Sequence, residues 1–318
     1  MRQEFRKTNQ YLMPAHPIPQ AKGIYHPYPF HPISNASIYL GYENIAERFL
    51  HAKTVILDGF PGVLWENIKS SLDKHFTQRG IKVHWIWIEQ TLKTAPEIDH
   101  LIKPYMGSED PLFGYRFQGR LIDIFDMDKL SNIKIDPTFD LNIIYGTGAA
   151  LAGMDGLIVY VDVPKNEIQY RARARSIKNL GAKEPLDSQT AYKRSYFIDW
   201  VAANQHKAEL LPKIDWYIDE QRPDEPCMIS GDSLRSSLSA LSMNYFRVRP
   251  WFEPGPWGGQ WIKKNIPLLA QDVPNYAWSF ELIVPENGLV FESDNILLEA
   301  SFDLIMYQEY QNILGFCA

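Results

Sequence analysis

The sequence lacks three features that would narrow its function at once: paired cysteines, a long apolar run and a signal-peptide core. Its two cysteines, Cys227 and Cys317, lie far apart and form none of the spacings of metal or redox motifs. No apolar run approaches the ~20 residues that cross a bilayer, and the N-terminus is charged. We therefore expect a soluble protein of the reducing cytoplasm with no membrane partner.

Histidine is sparse and poorly spaced for metal binding. The eight histidines include no H-x-H or H-x-x-x-H pair, and none follows His206. A histidine-based zinc centre therefore cannot be built from the C-terminal part of the chain alone. We expect His84, on an apolar stretch, to be a satisfied core residue, and His206, within ANQHK, to lie on a helix surface.

Basic charge is almost missing from the last part of the chain. The 318 residues carry a formal net charge of −6, but from Trp251 onward there are two lysines and no arginine against nine acidic residues. Residues 1–250 then hold 30 basic and 29 acidic side chains. This near-neutral body gives no reason to expect nucleic acid as a partner.

What is present divides the chain into three parts. Residues 1–33 contain six prolines after position 10, which predicts an extended segment because proline is excluded from helix interiors and central strands. Residues 34–245 alternate β-rich runs with helical periodicity. Residues 246–318 are rich in Trp, Pro and Gly; they predict strands at 279–284 and 288–291 and a helix at 302–314.

The middle part predicts an α/β domain with a mostly parallel sheet covered by helices. Several of its strand candidates are apolar throughout, as strands buried on both faces are. The candidates are residues 54–58, 82–88, 141–145, 157–163 and 215–219. After the first candidate, apolar residues recur at every fourth position, which predicts one face of a helix. These residues are Leu64, Ile68, Leu72 and Phe76.

The stretch VILDGFPGVLWENI, residues 55–68, has the order of a phosphate-binding loop: strand, glycine turn, helix. In such loops, backbone N–H groups and a helix N-terminus face the anion, while a lysine and a hydroxyl residue serve the transferring group. Gly59 and Gly62 supply the backbone part. Residues 63–65, Val-Leu-Trp, supply neither lysine nor hydroxyl. The alternative is a tight turn with a structural role only.

Further candidates for a phosphate or nucleotide site stand at the ends of other strand candidates. Asp58 and Asp162 each end such a strand, where a carboxylate either acts directly or caps a turn. Gly146 and Thr147 belong to a second glycine turn, YGTG, which either borders a site or only reverses the chain.

Arginines are concentrated in YRARARS, on a helix predicted to follow the strand at 157–163. Arg171, Arg173 and Arg175 resemble the arginine-rich lid helix of nucleotide kinases, whose guanidinium groups grip phosphates. Alternate residues do not share one helix face, so at most two of them converge on a ligand, and we take Arg171 and Arg175. The alternative is a solvated helix end with cations near its C-terminus.

Two stretches of the last part, RPWFEPGPWGGQWIKK at 249–264 and NYAWSFELIVPENGLVFES at 275–293, resemble the opening of class I mannose-6-phosphate isomerases, which are cupin-type enzymes. The front part is similar to the kinase-like domain that some bacterial members carry ahead of the isomerase. That similarity rests on VILDGFPGVLWENI, DPLFGYRFQG, IIYGTGAALAG and GLIVYVDVPKNEIQYRARA.

The resemblance implies a P-loop-kinase-like domain followed by an incomplete cupin start, so we expect the chain to be truncated at its C-terminus. It also implies zinc-dependent interconversion of mannose 6-phosphate and fructose 6-phosphate. In this family the metal ligands are a glutamine, histidines and a glutamate, and the resemblance implies that they would lie beyond residue 318. Only Trp257, Gly258 and Gly259 carry over, as a turn near the substrate, with an aromatic plug as the alternative.

Three functions from different classes are open at this point. The first is a sugar-phosphate isomerase that works only with a complete barrel. The second is a small-molecule kinase, which the missing lysine and hydroxyl disfavour. The third is a non-catalytic module that binds a sugar phosphate or nucleotide for regulation or assembly.

Overall fold

The described part of the chain has an α/β fold with one large and one small sheet. In the computed structural model we describe residues 5–8, 12–19, 26, 28–33, 36–108, 110, 113–249, 265–268 and 288–309. The strands in chain order are β1 Phe30–Pro32, β2 Tyr39–Leu40, β3 Thr54–Gly59, β4 Val83–Trp87, β5 Leu141–Tyr145, β6 Leu157–Asp162, β7 Trp216–Asp219, β8 Cys227–Ser230, β9 Gly288–Ser293 and β10 Ile296–Ser301.

The helices lie mostly between these strands. They are α1 Tyr42–Phe49, α2 Trp65–Gln78, α3 Ala95–Ile102, α4 Met127–Ser131, α5 Lys165–Arg173, α6 Ser188–Arg194, α7 Trp200–Leu210, α8 Gly231–Ser242 and α9 Asp303–Glu309. A π-helical turn, Ser195–Asp199, joins α6 directly to α7. In the described part of the chain no helix has the length and apolar character that a membrane span needs.

The large sheet has seven strands in the order β2-β8-β7-β6-β3-β5-β4. The five strands from β7 to β4 are parallel, and β8 and β2 add antiparallel pairs at one side. The prediction of a mostly parallel sheet is therefore confirmed. All five predicted strands of the middle part are present, and β5 has the predicted bounds. The antiparallel strands β2 and β8 were not predicted.

Helices cover both faces of this sheet because its central strands are apolar on both faces. Val55 and Leu57 of β3 pack in one cluster with α1 and α2, while Ile56 packs in another with α3 and α4. The predicted helical stripe is confirmed, since it lies along α2 and is buried. Both faces of the central strand are thus removed from water, as its continuous apolar run requires.

The small sheet joins the first and last parts of the chain. Strands β9 and β10 form a hairpin whose turn residues, Asp294 and Asn295, have φ values of 52° and 62°. Such turns favour Asn and Asp because these residues tolerate the left-handed region. Strand β1 adds to β9 in parallel. The predicted strand at 288–291 is confirmed within β9, the strand predicted at 279–284 lies outside the described residues, and the predicted C-terminal helix corresponds to α9 as far as Glu309.

The hairpin shares its core with the large sheet. Phe291 of β9 and Leu298 of β10 are fully buried in one cluster with Tyr217 of β7 and Leu234 of α8. The β9–β10 hairpin therefore packs on the α/β body, and we expect the two to unfold together.

We expect Phe291→Ala to lower the free energy of unfolding by about 3–5 kcal/mol, since truncating a buried phenylalanine removes apolar contacts and leaves a cavity. Denaturant unfolding followed by circular dichroism should show one transition with a lower midpoint. Phe113→Ala is the matched control, because Phe113 is 67% exposed. A separate early transition with the main midpoint unchanged would contradict the shared core.

Candidate functional site

The carboxyl ends of the five parallel strands form one edge of the large sheet, which is where open α/β sheets bind ligands. Asp58 lies near the end of β3 and Asp162 is the last residue of β6. Gly146 and Thr147 follow β5 directly. The structure thus brings these predicted residues, with Gly59, to the same edge.

Asp58 is fully buried, and its carboxylate joins three segments of the chain. Its Oδ1 accepts from the N–H groups of Gly59 at 2.6 Å and Gly148 at 2.9 Å. Its Oδ2 accepts from the N–H of Ala150 at 2.8 Å and lies 2.8 Å from Nε2 of His206. The carboxylate therefore holds the loop after β5 and helix α7 against β3.

His206 lies inside the protein, so the prediction that it is on a helix surface is wrong. Burial opposes the protonated imidazole, but the Asp58 carboxylate more than offsets this effect and raises the pKa of His206. The cavity beside the ring measures about 80 Å³ and is bordered by the Arg120–Glu209 ion pair. This volume suits a few waters rather than a nucleotide.

Asp162 is the centre of a second buried cluster. Its Oδ2 accepts from Lys207 Nζ at 2.9 Å, the Tyr217 hydroxyl at 2.9 Å and Ser301 Oγ at 3.0 Å. Burial lowers the pKa of Lys207, although Asp162 and then Asp303 favour its charged form. The carboxylate predicted as a site residue thus connects β6, β7 and α7 to the end of β10.

A second lysine, Lys165, begins helix α5 and pairs with Asp303, the first residue of α9. Asp303 Oδ2 also lies 3.9 Å from Lys207 Nζ. Burial opposes the charged form of Asp303, but Lys165 and Lys207 more than offset it and lower its pKa. Both ammonium groups lie over the Phe60 ring, at 5.3 Å for Lys165 and 4.3 Å for Lys207.

The turn after β3 uses three of its backbone donors within the protein. The N–H of Gly59 bonds to Asp58, that of Phe60 to the Val161 carbonyl at 2.9 Å, and that of Val63 to the Phe60 carbonyl at 3.4 Å. A phosphate cradle needs such N–H groups to be free and convergent. These three are already bound.

Both glycines of this turn have a packing role. Gly62 has φ +108°, and a Cβ there would lie 2.8 Å from the Ile168 side chain of α5. A Cβ at Gly59 would lie 2.5 Å from the Val161 carbonyl oxygen. Close approach to α5 and β6 therefore requires glycine at both positions. Their role in binding phosphate stays a prediction.

Arg171 is buried and bound on the inner side of the turn. It donates to the Gly62 carbonyl at 2.9 Å, to the Glu220 carboxylate at 2.5 Å and to the Glu220 carbonyl at 2.8 Å. Burial raises the pKa of Glu220, while Arg171 opposes that shift. The guanidinium is thus part of a buried ion pair and not of a solvated helix end.

Arg175 lies apart from this group. Helix α5 ends at Arg173, and Arg175 has φ +58° and donates to the Pro185 carbonyl at 2.9 Å. The prediction that one helix carries Arg171, Arg173 and Arg175 is therefore wrong for Arg175, whose left-handed backbone conformation is outside the helical region.

A cavity of about 400 Å³ lies between α5, α6 and α7. Gln169 and Arg173 face it from α5, Ser188 from the start of α6, and Trp200 from the start of α7. Ile168, which also lines the cavity, packs against Gly62. The cavity, which we call the α5–α7 pocket, therefore adjoins the turn after β3.

Two residues that line the α5–α7 pocket each carry a buried donor without a hydrogen-bond partner in the described part of the chain. These donors are the indole Nε1 of Trp200, a residue 3% exposed, and the amide Nε2 of Gln169. The guanidinium of Arg173 packs on the Tyr170 ring at 5.6 Å and makes no ion pair with any described residue. Because unsatisfied buried donors cost free energy, their presence here favours a ligand that brings acceptors.

Sequence reasoning missed Trp200, Gln169, Lys165 and Lys207, and it set Arg173 aside. Lys165 follows a strand end by three positions, and that placement was a usable signal. The others had none, because their environment comes from helices that are distant in sequence.

The implied zinc site has no counterpart in what the structure describes. Among the described residues no group of three or more His, Cys, Asp or Glu is placed to hold a metal ion, so these residues do not fit zinc. Trp257, Gly258 and Gly259, predicted to lie near the substrate, fall outside the described residues.

We expect His206→Gln to lower the free energy of unfolding by about 1–3 kcal/mol at acidic pH, because it removes a charged partner of a buried carboxylate. The stabilising effect of a raised histidine pKa is complete below the unfolded value of about 6.5 and is lost as pH rises through the folded pKa. The deficit relative to wild type should therefore shrink toward pH ~9, as urea unfolding at several pH values will measure. The control is His51→Gln, at an exposed histidine; a deficit independent of pH would contradict the charge pairing.

Comparison with protein-family models gives one match. A domain of unknown function, DUF8485, matches residues 41–243, which run from the start of α1 to the end of α8. A search of curated proteins found no match. The matched segment contains the five parallel strands, the buried Asp58 and Asp162 and the α5–α7 pocket, and it spans more than half of the 318 residues. The chain therefore belongs to the DUF8485 family.

Proposed function

We propose that the α/β domain is a non-catalytic module that binds a phosphorylated small molecule, either a sugar phosphate or a nucleotide, in the α5–α7 pocket. One observation carries this proposal. The pocket combines the unpartnered donors of Trp200 and Gln169 with the guanidinium of Arg173, which has no ion pair among the described residues.

The proposal includes a P-loop-kinase-like fold. When only the five parallel strands are numbered along the chain, their order in the sheet is 2-3-1-4-5, so the glycine turn follows the first and central strand. This order supports the kinase-like relationship that the sequence resemblance implies. A fold does not bring an activity with it, however, and function has to be argued from the site.

Phosphoryl transfer is disfavoured by the state of the charged groups. Transfer depends on positioned cations and a carboxylate that are available to the phosphates and the nucleophile. Here Lys207 is paired with Asp162, Lys165 with Asp303, and Arg171 with Glu220, all in the interior. Residues 63–65 add no charge. We therefore propose binding without catalysis.

The lining of the pocket favours an anion. Arg173 contributes a cation, Trp200 and Gln169 contribute N–H donors, and Ser188 contributes a hydroxyl; among the described lining residues none is acidic. Charge-assisted hydrogen bonds from arginine to phosphate are among the stronger polar contacts in proteins. A phosphate group offers acceptors and negative charge, which is the chemistry that such donors require.

The rest of the lining favours an organic group attached to the phosphate. Tyr192 and Trp200 are aromatic, Ile168 and Ala172 are apolar, and the volume of about 400 Å³ falls within the range of small-molecule sites. A sugar ring or a nucleoside fits this chemistry, and the two are distinguished by titration with mannose 6-phosphate and with adenosine monophosphate.

We expect Arg173→Gln to weaken binding of the preferred phosphate ester by about 10-fold to 100-fold, the effect of losing a charge-assisted hydrogen bond. Isothermal titration calorimetry with the two esters, in the absence of Mg²⁺, measures the affinities. Inorganic phosphate serves as the minimal probe.

Arg175→Gln is the matched control, since Arg175 lies two residues further on and donates to the Pro185 carbonyl. Its affinity should stay within about twofold of wild type. Equal losses at the two positions, or no binding by wild type, would contradict the pocket as the site.

A second candidate function is the sugar-phosphate isomerase. It is supported by the resemblance of residues 249–264 and 275–293 and by the β9–β10 hairpin that follows the first of these stretches. Interconversion of mannose 6-phosphate and fructose 6-phosphate by the protein, dependent on added zinc and abolished by a chelator, would support it. No turnover with zinc present would remove it.

A further inference from the structure

Lys165 and Lys207, the two lysines beside Phe60, form a buried charge cluster with Asp162 and Asp303. Without Asp303 this cluster would carry a net positive charge. Lys165 is 3% exposed and Lys207 is fully buried. Asp162 pairs with Lys207 at 2.9 Å, and Asp303 is the described carboxylate that pairs with Lys165. Without Asp303 the cluster holds two ammonium groups against one carboxylate. An uncompensated buried charge is costly, so an anion is needed at the Asp303 position.

The cluster stands next to the turn that resembles a phosphate loop. Both Nζ atoms lie within 5.3 Å of the Phe60 ring centroid, and Phe60 belongs to the Gly59–Gly62 turn after β3. Lys165 is also the first residue of α5, a nine-residue helix, whose N-terminal end favours negative charge. Two lysines, a helix start and the carboxyl edge of the sheet thus converge where the Asp303 carboxylate is bound.

Asp303 reaches the cluster from a separate segment. It opens α9, which follows β10, and lies outside the 41–243 segment that matches the family model. Lys165 and Lys207 both lie inside that segment. The anion is therefore supplied to the α/β domain by the tail of the chain.

We propose that Lys165 and Lys207 form a second anion site of the α/β domain, one that takes a phosphate group, and that Asp303 occupies this site as an intramolecular substitute. Binding of phosphate and docking of α9 then exclude each other. The site is distinct from the α5–α7 pocket and does not depend on the function proposed for that pocket.

Because the two events exclude each other, Asp303 of α9 competes with phosphate for the lysine site. A ligand phosphate must displace a carboxylate that is tethered to the same chain and so present at a high effective concentration. Free phosphate at ordinary concentrations is then expected to leave α9 docked. A variant without the Asp303 carboxylate should accept phosphate freely.

The test uses Asp303→Ala in the full chain, with Arg173→Gln added so that the α5–α7 pocket does not contribute. We expect its Tm to rise by about 3 °C or more in about 50 mM phosphate relative to sodium chloride of equal ionic strength, because a ligand that binds only the folded state stabilises it. Arg173→Gln alone should shift by less than about 1 °C. Adding Lys165→Met to the Asp303→Ala variant should abolish the extra shift.

The matched control is Asp232→Ala, which removes a carboxylate paired with Arg235 at the surface, where the Asp232 side chain is 97% exposed. It should show no phosphate-dependent gain. Asp303→Asn, which keeps the side-chain shape, covers the case in which the alanine variant folds poorly. Any of three outcomes would overturn the proposal. The first is an equal Tm shift in phosphate with and without Asp303, and the second is persistence of the shift after Lys165→Met. The third is that both Asp303 variants fail to fold and phosphate does not restore their folding.

Discussion

Two carboxylates at the ends of the central strands, Asp58 and Asp162, are buried, and much of the surrounding structure is organised by their hydrogen bonds. A carboxylate removed from water is strongly unfavourable unless donors and cations replace its hydration. Asp58 draws its partners from the loop after β5 and from α7. Asp162 draws its partners from α7, β7 and the end of β10. Helix α7 serves both through His206 and Lys207, consecutive residues that reach different carboxylates.

The need of buried charges for polar partners also explains why the glycine turn contacts a cation rather than an anion. A phosphate loop presents N–H groups to an external anion, whereas here the turn presents the Gly62 carbonyl to a cation, the buried guanidinium of Arg171. The turn keeps its shape because Ile168 and the Val161 carbonyl leave no room for a side chain at either glycine. The turn therefore has the shape of a phosphate loop but not the arrangement of N–H groups that binds an anion. The unpartnered donors of Trp200 and Gln169 belong to residues that line the α5–α7 pocket, as Ile168 does.

Sequence patterns predicted the large sheet well because several of its parallel strands are largely apolar and its helix α2 has a clear apolar stripe. They missed β8, a four-residue antiparallel strand, and they misplaced His206. Helix α7 is buried on several sides, including at His206 and Lys207, so it has no amphipathic period to read. Partners that are 148 residues apart, such as His206 and Asp58, are brought together only by the folded sheet.

The candidate site was predicted less completely than the fold for a related reason. Asp58, Gly59, Gly146, Thr147 and Asp162 could be placed at the sheet edge because parallel strands end there together. The α5–α7 pocket is a space between three helices, and neither its volume nor its unpartnered donors leave a mark on local composition.

The parallel pairing of β1 with β9 has a consequence for how the chain is made. Phe30 lies opposite Val290, so one partner leaves the ribosome some 260 residues before the other. Closing so long a loop is entropically unfavourable and slow, and it yields its contacts only at the end. During synthesis β1, in the proline-rich segment, therefore remains without its strand partner β9 until the later part of the chain has been made. We therefore expect the three-stranded sheet to form after the large sheet, once β9 and β10 have been synthesised.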